Sequence, residues 1–214
     1  MTVAAVVVAG GRGVRFGGPK QFTVLGDETV AARSVRVSRS VADFVVLVVP
    51  DEYDGPGEGA DAVVAGGDTR AASVRAGLKA LPDCDVVVVH DAARPLASQR
   101  LFTAVVDAVT AGADAAIPGL RVTDTIKRIA NRDGQSIVVG TIDRSELVTV
   151  QTPQAFRRDV LERAHHTLSD ATDDAALVEA MGGVVVIVSG EASNLKITDP
   201  SDLLRVAAAL EEDS

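Results

Sequence analysis

Nearly wholly apolar runs recur along the chain, at residues 3–9, 44–49, 86–90, 113–118 and 184–188. A strand with one wet face alternates apolar and polar residues. These runs do not, which predicts strands covered on both faces and therefore a largely parallel sheet. Between them, residues 29–40, 69–81, 98–111, 157–168, 173–181 and 200–210 carry helical spacing. Asp68-Thr69 and Thr172-Asp173-Asp174 offer N-cap chemistry, and Pro200 falls at a first turn, where its missing N–H costs nothing. Alternating strand and helix predict an α/β three-layer sandwich with a mostly parallel central sheet.

Residues 121–151 break this rhythm. Two β-like runs, 121–129 and 136–141, flank the turn Asn131-Arg132-Asp133-Gly134 with no helix to cover them, which predicts a protruding β-arm. A two-stranded ribbon is marginal alone, so a second subunit is its expected cover, giving a homodimer through the arm. Everything else reads as one domain over 1–214, without repeats or linkers, and residues 50–60 read as an acidic surface loop.

Charge and composition narrow the function. A net charge of −9 argues against non-specific binding to nucleic acid or anionic membranes, so a local basic stretch stands out. Cys84 is the sole cysteine, which excludes an intramolecular disulfide and a Cys-based zinc site and predicts a reducing, cytoplasmic setting. No run reaches the roughly 18 apolar residues of a membrane span, and residues 3–9 lack the basic flank of a signal peptide.

The basic stretch is AGGRGVRFGGPK, residues 9–20, directly after the first apolar run. Glycines let backbone N–H groups approach an anion, while Arg12, Arg15 and Lys20 supply fixed positive charge. The dinucleotide fingerprint starts at Gly11 and Gly13 but meets Phe16 at its third glycine. The P-loop pattern fits Gly13 and Gly18, yet Pro19 precedes Lys20, and Gln21 stands where a metal-binding Ser or Thr is needed. A sharp structural turn would leave the three cations unexplained. Nucleotidyl transfer suits the loop, because that reaction gathers negative charge around one phosphorus and asks the protein to position and neutralise it.

Further motifs follow in order: GGDTRAASVRAGL at 66–78, VHDAARP at 89–95, DTIKR at 124–128, TIDRSEL at 141–147, QTPQAF at 151–156, TDDAALVE at 172–179 and NLKIT at 194–198. With the G-x-G-x-R…P-K loop, the chain resembles the 2-C-methyl-D-erythritol 4-phosphate cytidylyltransferase family, nearly from end to end. The resemblance implies a Rossmann-like fold and CMP transfer from CTP to methylerythritol phosphate, with Mg²⁺ bridging phosphate oxygens. It implies that Arg15, Lys20 and Lys196 are catalytic, stabilising charge at the α-phosphorus. Ala9, Gly10, Gly11, Gly13, Gly67, Asp68 and Ser73 would hold the nucleotide, with Asp91 near the ribose and acceptor. Arg94 would serve the acceptor, as would Thr125, Lys127 and Arg144 reaching across from the partner's arm, with Thr172 a further contact behind it. Val8-Ala9-Gly10-Gly11 replaces the family's usual P-A-A-G, and the G-G form also occurs in ribitol-type polyol-phosphate cytidylyltransferases. Ala92-Ala93 and the TDDA segment favour methylerythritol phosphate; ribitol 5-phosphate and a non-catalytic nucleotide-binding module remain the alternatives. The length leaves no room for a fused second enzyme.

Other polar residues receive plainer readings. His90 ends an apolar strand and reads as a hydrogen-bonded core residue, and His165 and His166 read as surface residues of a helix. Asp173 and Asp174 are accounted for by the helix dipole behind Thr172 rather than by a metal.

Overall fold

The computed structural model describes residues 1–13, 15–167 and 173–212. Its elements run β1 (Val3–Val8), the small hairpin β2 (Val24–Leu25) and β3 (Glu28–Thr29), α1 (Val30–Ser38), β4 (Phe44–Val49), β5 (Ala62–Ala65), α2 (Arg70–Ala80), β6 (Val86–Asp91), α3 (Gln99–Thr110) and β7 (Ala115–Arg121). They continue with β8 (Ile126–Arg132), β9 (Gln135–Ile142), β10 (Val148–Val150), β11 (Gln154–Arg157), α4 (Arg158–Thr167), α5 (Asp174–Ala180), β12 (Val185–Ser189) and α6 (Pro200–Glu212).

Eight strands form the central sheet. β6, β1, β4 and β5 run parallel side by side, and β12 runs parallel to β7. β11 is antiparallel to both β6 and β7 and joins the two parallel blocks. β10 pairs with the far end of β7, on the same edge as β11, because β12 occupies the other edge along residues 115–119.

The apolar runs are explained by the two packed faces. Val3, Ala5 and Val7 of β1 and Val45, Leu47 and Val49 of β4 face α1 and α3, where Val35, Phe102 and Val105 complete one core. Their neighbours Ala4, Val6, Val46 and Val48 face the opposite layer, filled by Val74 and Leu78 of α2, Leu161 of α4 and Leu177 and Val178 of α5. Period-2 alternation is still present; both faces simply require apolar residues. At Gly77 the approach of α2 is close enough that a Cβ would lie 2.4 Å from Val6 Cγ1.

Helix starts follow cap chemistry. Thr29, Thr69 and Ser98 accept hydrogen bonds from Ala32, Ala72 and Leu101 N–H groups. For α5 the cap is Asp173, accepting from Ala176 N–H, while Thr172 lies outside the described residues.

Several expectations are corrected. β5, β10 and β11 are additional strands: each is short, and β11 (QAFR) carries polar ends that mask it. β12 is an edge strand with Val186 and Ile187 exposed, as is Val184 just before it, so the apolar run does not mean burial on both faces. The free-standing arm is narrower than 121–151, since β7 runs to Arg121 and residues 148–150 return to the main sheet; β8 and β9 form their own two-stranded sheet. Asp133 and Gly134, both at positive φ, make its turn. The 50–60 segment does more than cover surface: Tyr53 stacks on Phe22 at 4.4 Å, and Asp51 and Glu52 line the cleft described next.

A third, smaller core of Leu25, Val30, Ile197 and Val206 takes in Phe16, so α6 packs against both the glycine loop and the segment after β12. Among the described residues no helix is long and apolar enough to cross a membrane.

Candidate active site

β1 sits between β4 and β6, and the chain runs outward from β1 to β4 and β5 before crossing back to β6. Loops leaving the carboxyl ends of such strands diverge, which opens a crevice. A cavity of about 680 Å³ occupies it, walled by residues 8–13, 49–52, 66–70 and 91–93 with Arg15, Lys20, Ser73, Lys196 and Thr198. The structure thus brings together Ala9, Gly10, Gly11, Gly13, Arg15, Lys20, Gly67, Asp68, Ser73, Asp91 and Lys196, every catalytic and nucleotide-binding residue expected from the sequence.

The glycine loop has a defined fold. Gly13 stands at φ +62, and its carbonyl accepts hydrogen bonds from the N–H groups of Phe16, Gly17 and Gly18 at 2.9, 3.0 and 3.2 Å. Lys20 opens a short helical turn whose next residue, Gln21, is buried; Gln21 Nε2 donates to the carbonyls of Ala9 and Gly11 at 2.6 and 2.9 Å. Gln21 thereby ties the loop to the strand end and leaves N–H groups for a ligand: among the described residues, those of Gly10, Gly11 and Gly13 have no acceptor. Sequence reasoning treated Gln21 only as a mismatch to the P-loop.

Across the cleft, Ser73 Oγ accepts from Gly67 N–H at 3.2 Å and crowds two glycines: a Cβ would lie 2.7 Å from it at Gly66 and 3.2 Å at Gly10. The result is a narrow polar slot of main-chain groups.

Positive charge gathers where the two sides meet. Burial, Lys196 and Arg15 push the Lys20 ammonium below the ordinary lysine range, only partly offset by Asp202 and Asp91, as follows from holding cations close together in a half-buried place. Lys196 Nζ donates to Asp91 Oδ2 at 2.6 Å, and Arg70 Nε to Asp91 Oδ1 at 3.1 Å. Burial opposes ionisation of Asp91, but Arg70 and Lys196 outweigh it and hold the carboxyl well below the usual carboxylate range. Arg70 also donates through Nη1 to Asp174 Oδ2 at 2.6 Å, and His165 Nε2 meets Asp174 Oδ1 at 2.9 Å. These contacts correct two sequence readings. His165 is buried rather than on the surface, and Asp174 is a buried ion-pair partner, beyond anything the helix dipole asks of it.

His90 is buried as expected. Its Nε2 faces the Arg94 carbonyl, which can only accept, so Nε2 carries the hydrogen and Nδ1 accepts from Thr152 Oγ1; that hydroxyl in turn accepts from Asp91 N–H. Burial pushes the imidazole down to about 4 from 6.5. As pH falls from 6.5 towards 4, the unfolded chain gains a proton that the folded protein refuses, so stability falls through that window. Thermal melts from pH 7 to pH 4 should show this decline, and a His90→Gln variant should show a shallower one.

The acceptor residues expected from the sequence lie elsewhere. Arg94 turns from the cavity, donating to the carbonyls of Asn194 at 2.9 Å and Val150 at 3.4 Å. Thr125 and Lys127 are exposed on the arm, Lys127 donating to Thr141 Oγ1 at 2.7 Å, while Arg144 donates to the Thr123 carbonyl. None of these four lines the cleft of their own chain. Among the described residues no group of three His, Cys, Asp or Glu is placed to hold a metal ion.

Comparison with known proteins decides the family. The family model of 2-C-methyl-D-erythritol 4-phosphate cytidylyltransferase (IspD) matches residues 3–212. The chain belongs to this family. Among its IspD relatives, the 2-C-methyl-D-erythritol 4-phosphate cytidylyltransferase of Rhodococcus jostii is 45% identical, the match covering 98% of this chain and 96% of the relative. A bifunctional enzyme IspD/IspF of Anaeromyxobacter sp. is 47% identical over 98% of this chain, which spans 57% of that relative's length. The IspD crystal structure from Thermus thermophilus superposes with a TM-score of 0.81 at 35% identity, covering 96% of this chain and 98% of the other. The IspD membership and the shared fold agree with the parallel sheet and the cleft at its carboxyl edge.

Proposed function

We propose that the protein transfers CMP from CTP to 2-C-methyl-D-erythritol 4-phosphate and releases pyrophosphate, a step in isoprenoid precursor synthesis. The observation that carries this reading is the convergence of Arg15, Lys20 and Lys196 on a cleft whose other wall is a slot of main-chain groups at Gly10, Gly66 and Gly67 braced by Ser73. A slot that narrow suits a pyrimidine, read by hydrogen bonds from the backbone and from Asp68 and Ser73. The triphosphate then lies along the glycine loop, where free N–H groups and cations meet its charge. An oxygen of the acceptor phosphate bonds to the α-phosphorus as the bond to the bridging oxygen breaks, and pyrophosphate leaves with the electron pair. The acceptor phosphate is already ionised, so no general base is required, in keeping with a buried, neutral His90.

The donors present fit a Mg²⁺ carried in by the triphosphate better than one held by a protein cage, since Asp91 is already engaged by two cations. When bound, the ion would neutralise phosphate oxygens beside Asp91 and the three cations. Thr125, Lys127 and Arg144, with Thr172, serve the acceptor directly, and Arg94, turned to the carbonyls of Asn194 and Val150, serves it by holding the segment that carries Lys196. For the arm residues this happens in the cleft of a second copy: the ribbon stands apart from its own cleft, and Ile129, Val138 and Val139 are exposed on it, an apolar surface that a homodimer would cover.

Pyrophosphate release measured with each of the four ribonucleoside triphosphates and methylerythritol phosphate tests the proposal. Turnover with CTP alone is expected; turnover with a purine nucleotide at a comparable rate refutes the slot assignment.

A further inference from the structure

Beneath the reacting groups runs an unbroken chain of polar side chains: Lys196, Asp91, Arg70, Asp174 and His165, linked by contacts of 2.6, 3.1, 2.6 and 2.9 Å. It joins the segment after β12 to the end of β6, then to the first residue of α2, the first of α5 and the last turn of α4. The proposed reaction uses its first two members and leaves the other three without a task.

We infer that Arg70 is a positioning residue that acts through Asp91 to set where Lys196 meets the transferring phosphate, with Asp174 and His165 as its anchor. The inference rests on the reading of the cleft as a CMP-transfer site. Lys196 has a flexible four-carbon stem, its side chain is 43% exposed, and among the described residues Asp91 is the sole hydrogen-bond partner of its ammonium. Its location is therefore only as fixed as the Asp91 carboxylate. A carboxylate held at one oxygen can pivot about its terminal torsion. Arg70 Nε grips Oδ1, which leaves Oδ2 in one place for Lys196.

Arg70 is fixed in its turn. Thr69 caps α2 and sets the backbone at Arg70, while Asp174, 1% exposed, holds the far side of the guanidinium with His165 at its back. A planar guanidinium can bind two carboxylates through separate N–H groups at a defined angle; a lysine ammonium is a point charge that cannot impose that angle. The electrostatics agree: burial works against the Arg70 charge, yet Asp91 and Asp174 reverse the effect and hold it cationic.

The test is a double-mutant cycle on pyrophosphate release from CTP and methylerythritol phosphate, using Arg70→Gln, Asp91→Asn and the double variant. Arg70→Gln should lower kcat roughly 100-fold, the scale of an ångström-level misplacement. Its CTP dissociation constant, read by calorimetry, should change less than about threefold, because on this account Arg70 does not bind the nucleotide. The double variant should be no slower than Asp91→Asn alone. Additive losses, or a kcat within about twofold of wild type in Arg70→Gln, overturn the inference. Asp174→Asn keeps the Arg70–Asp91 contact but loosens the anchor; it should lose kcat less severely, and it carries the test should Arg70→Gln fail to fold. Wild-type inactivity would refute the proposed reaction instead. The positioning claim is then decided by crystal structures of the wild type and Arg70→Gln, in which the Asp91 carboxylate and the Lys196 ammonium should both be displaced in the variant; both groups found at their wild-type positions refute it.

Discussion

Lys20→Ala should lower kcat/KM for CMP transfer by about 10²- to 10³-fold while leaving the melting temperature unchanged or higher. The two effects separate because the structure sets Lys20 against its neighbours. Burial, Lys196 and Arg15 all disfavour its charge, with Asp202 and Asp91 only partly offsetting them. For a base whose folded value lies below the 10.5 of a free lysine, the unfolded chain holds its proton more tightly, so the charged side chain works against the fold until pH rises past both values. Alanine removes that repulsion. A triphosphate reverses its sign, since the same crowding of cations is what a polyanion pairs with. CTP should accordingly raise the melting temperature of the wild type far more than that of Lys20→Ala. A large drop in stability of the variant without ligand would show that Lys20 holds the loop together rather than serving the ligand.

Gly13→Ala should be nearly as damaging, for a different reason. Gly13 has φ +62, and a Cβ there would lie 1.7 Å from the Gly18 carbonyl oxygen. Both partners are backbone, so the turn between residues 13 and 18 must open, and with it go the three hydrogen bonds to the Gly13 carbonyl. Arg15 lies within that turn and Lys20 follows directly, so both cations shift. Loss of at least about 100-fold in kcat/KM is expected from displacement on this scale. Gly18→Ala supplies the contrast: no atom lies within 4 Å of a Cβ at that position, and its φ is one that other residues adopt. Steady-state kinetics on the two variants should show Gly13→Ala crippled and Gly18→Ala within about threefold of wild type. Equal losses would mean that glycine is needed along the loop for flexibility and that the turn geometry carries nothing.

Local signals carried the sequence reading far where a residue's neighbours in the chain determine its role. The apolar runs at β1, β4 and β6 revealed the buried sheet because both faces of those strands are covered, and the glycines and cations of 9–20 revealed the loop because its chemistry is contiguous. Relationships across the chain were silent. Arg70 and Asp174 stand 104 residues apart, and nothing local to either marks the ion pair. His165 looked like a surface residue because His166 beside it is one and the helix is polar; only the packing of α5 shows which histidine turns inward. The strand β11 spans the end of the QTPQAF motif and Arg157. Its four residues are too few for periodicity, yet it is the piece that joins the two halves of the sheet. The exposure of β12 likewise depends on its place at an edge, which its apolar sequence does not encode.

The proposed reaction joins the α-phosphate of CTP to methylerythritol phosphate in this cleft. Phosphorus-31 NMR of the purified protein with CTP, Mg²⁺ and an equimolar mixture of 2-C-methyl-D-erythritol 4-phosphate and ribitol 5-phosphate observes the bond directly. Methylerythritol phosphate should be consumed, a cytidine diphosphate diester of it should appear with an equal amount of pyrophosphate, and ribitol phosphate should persist. Consumption of ribitol phosphate in its place, or CTP left intact beside both acceptors although it binds, would refute the proposed reaction.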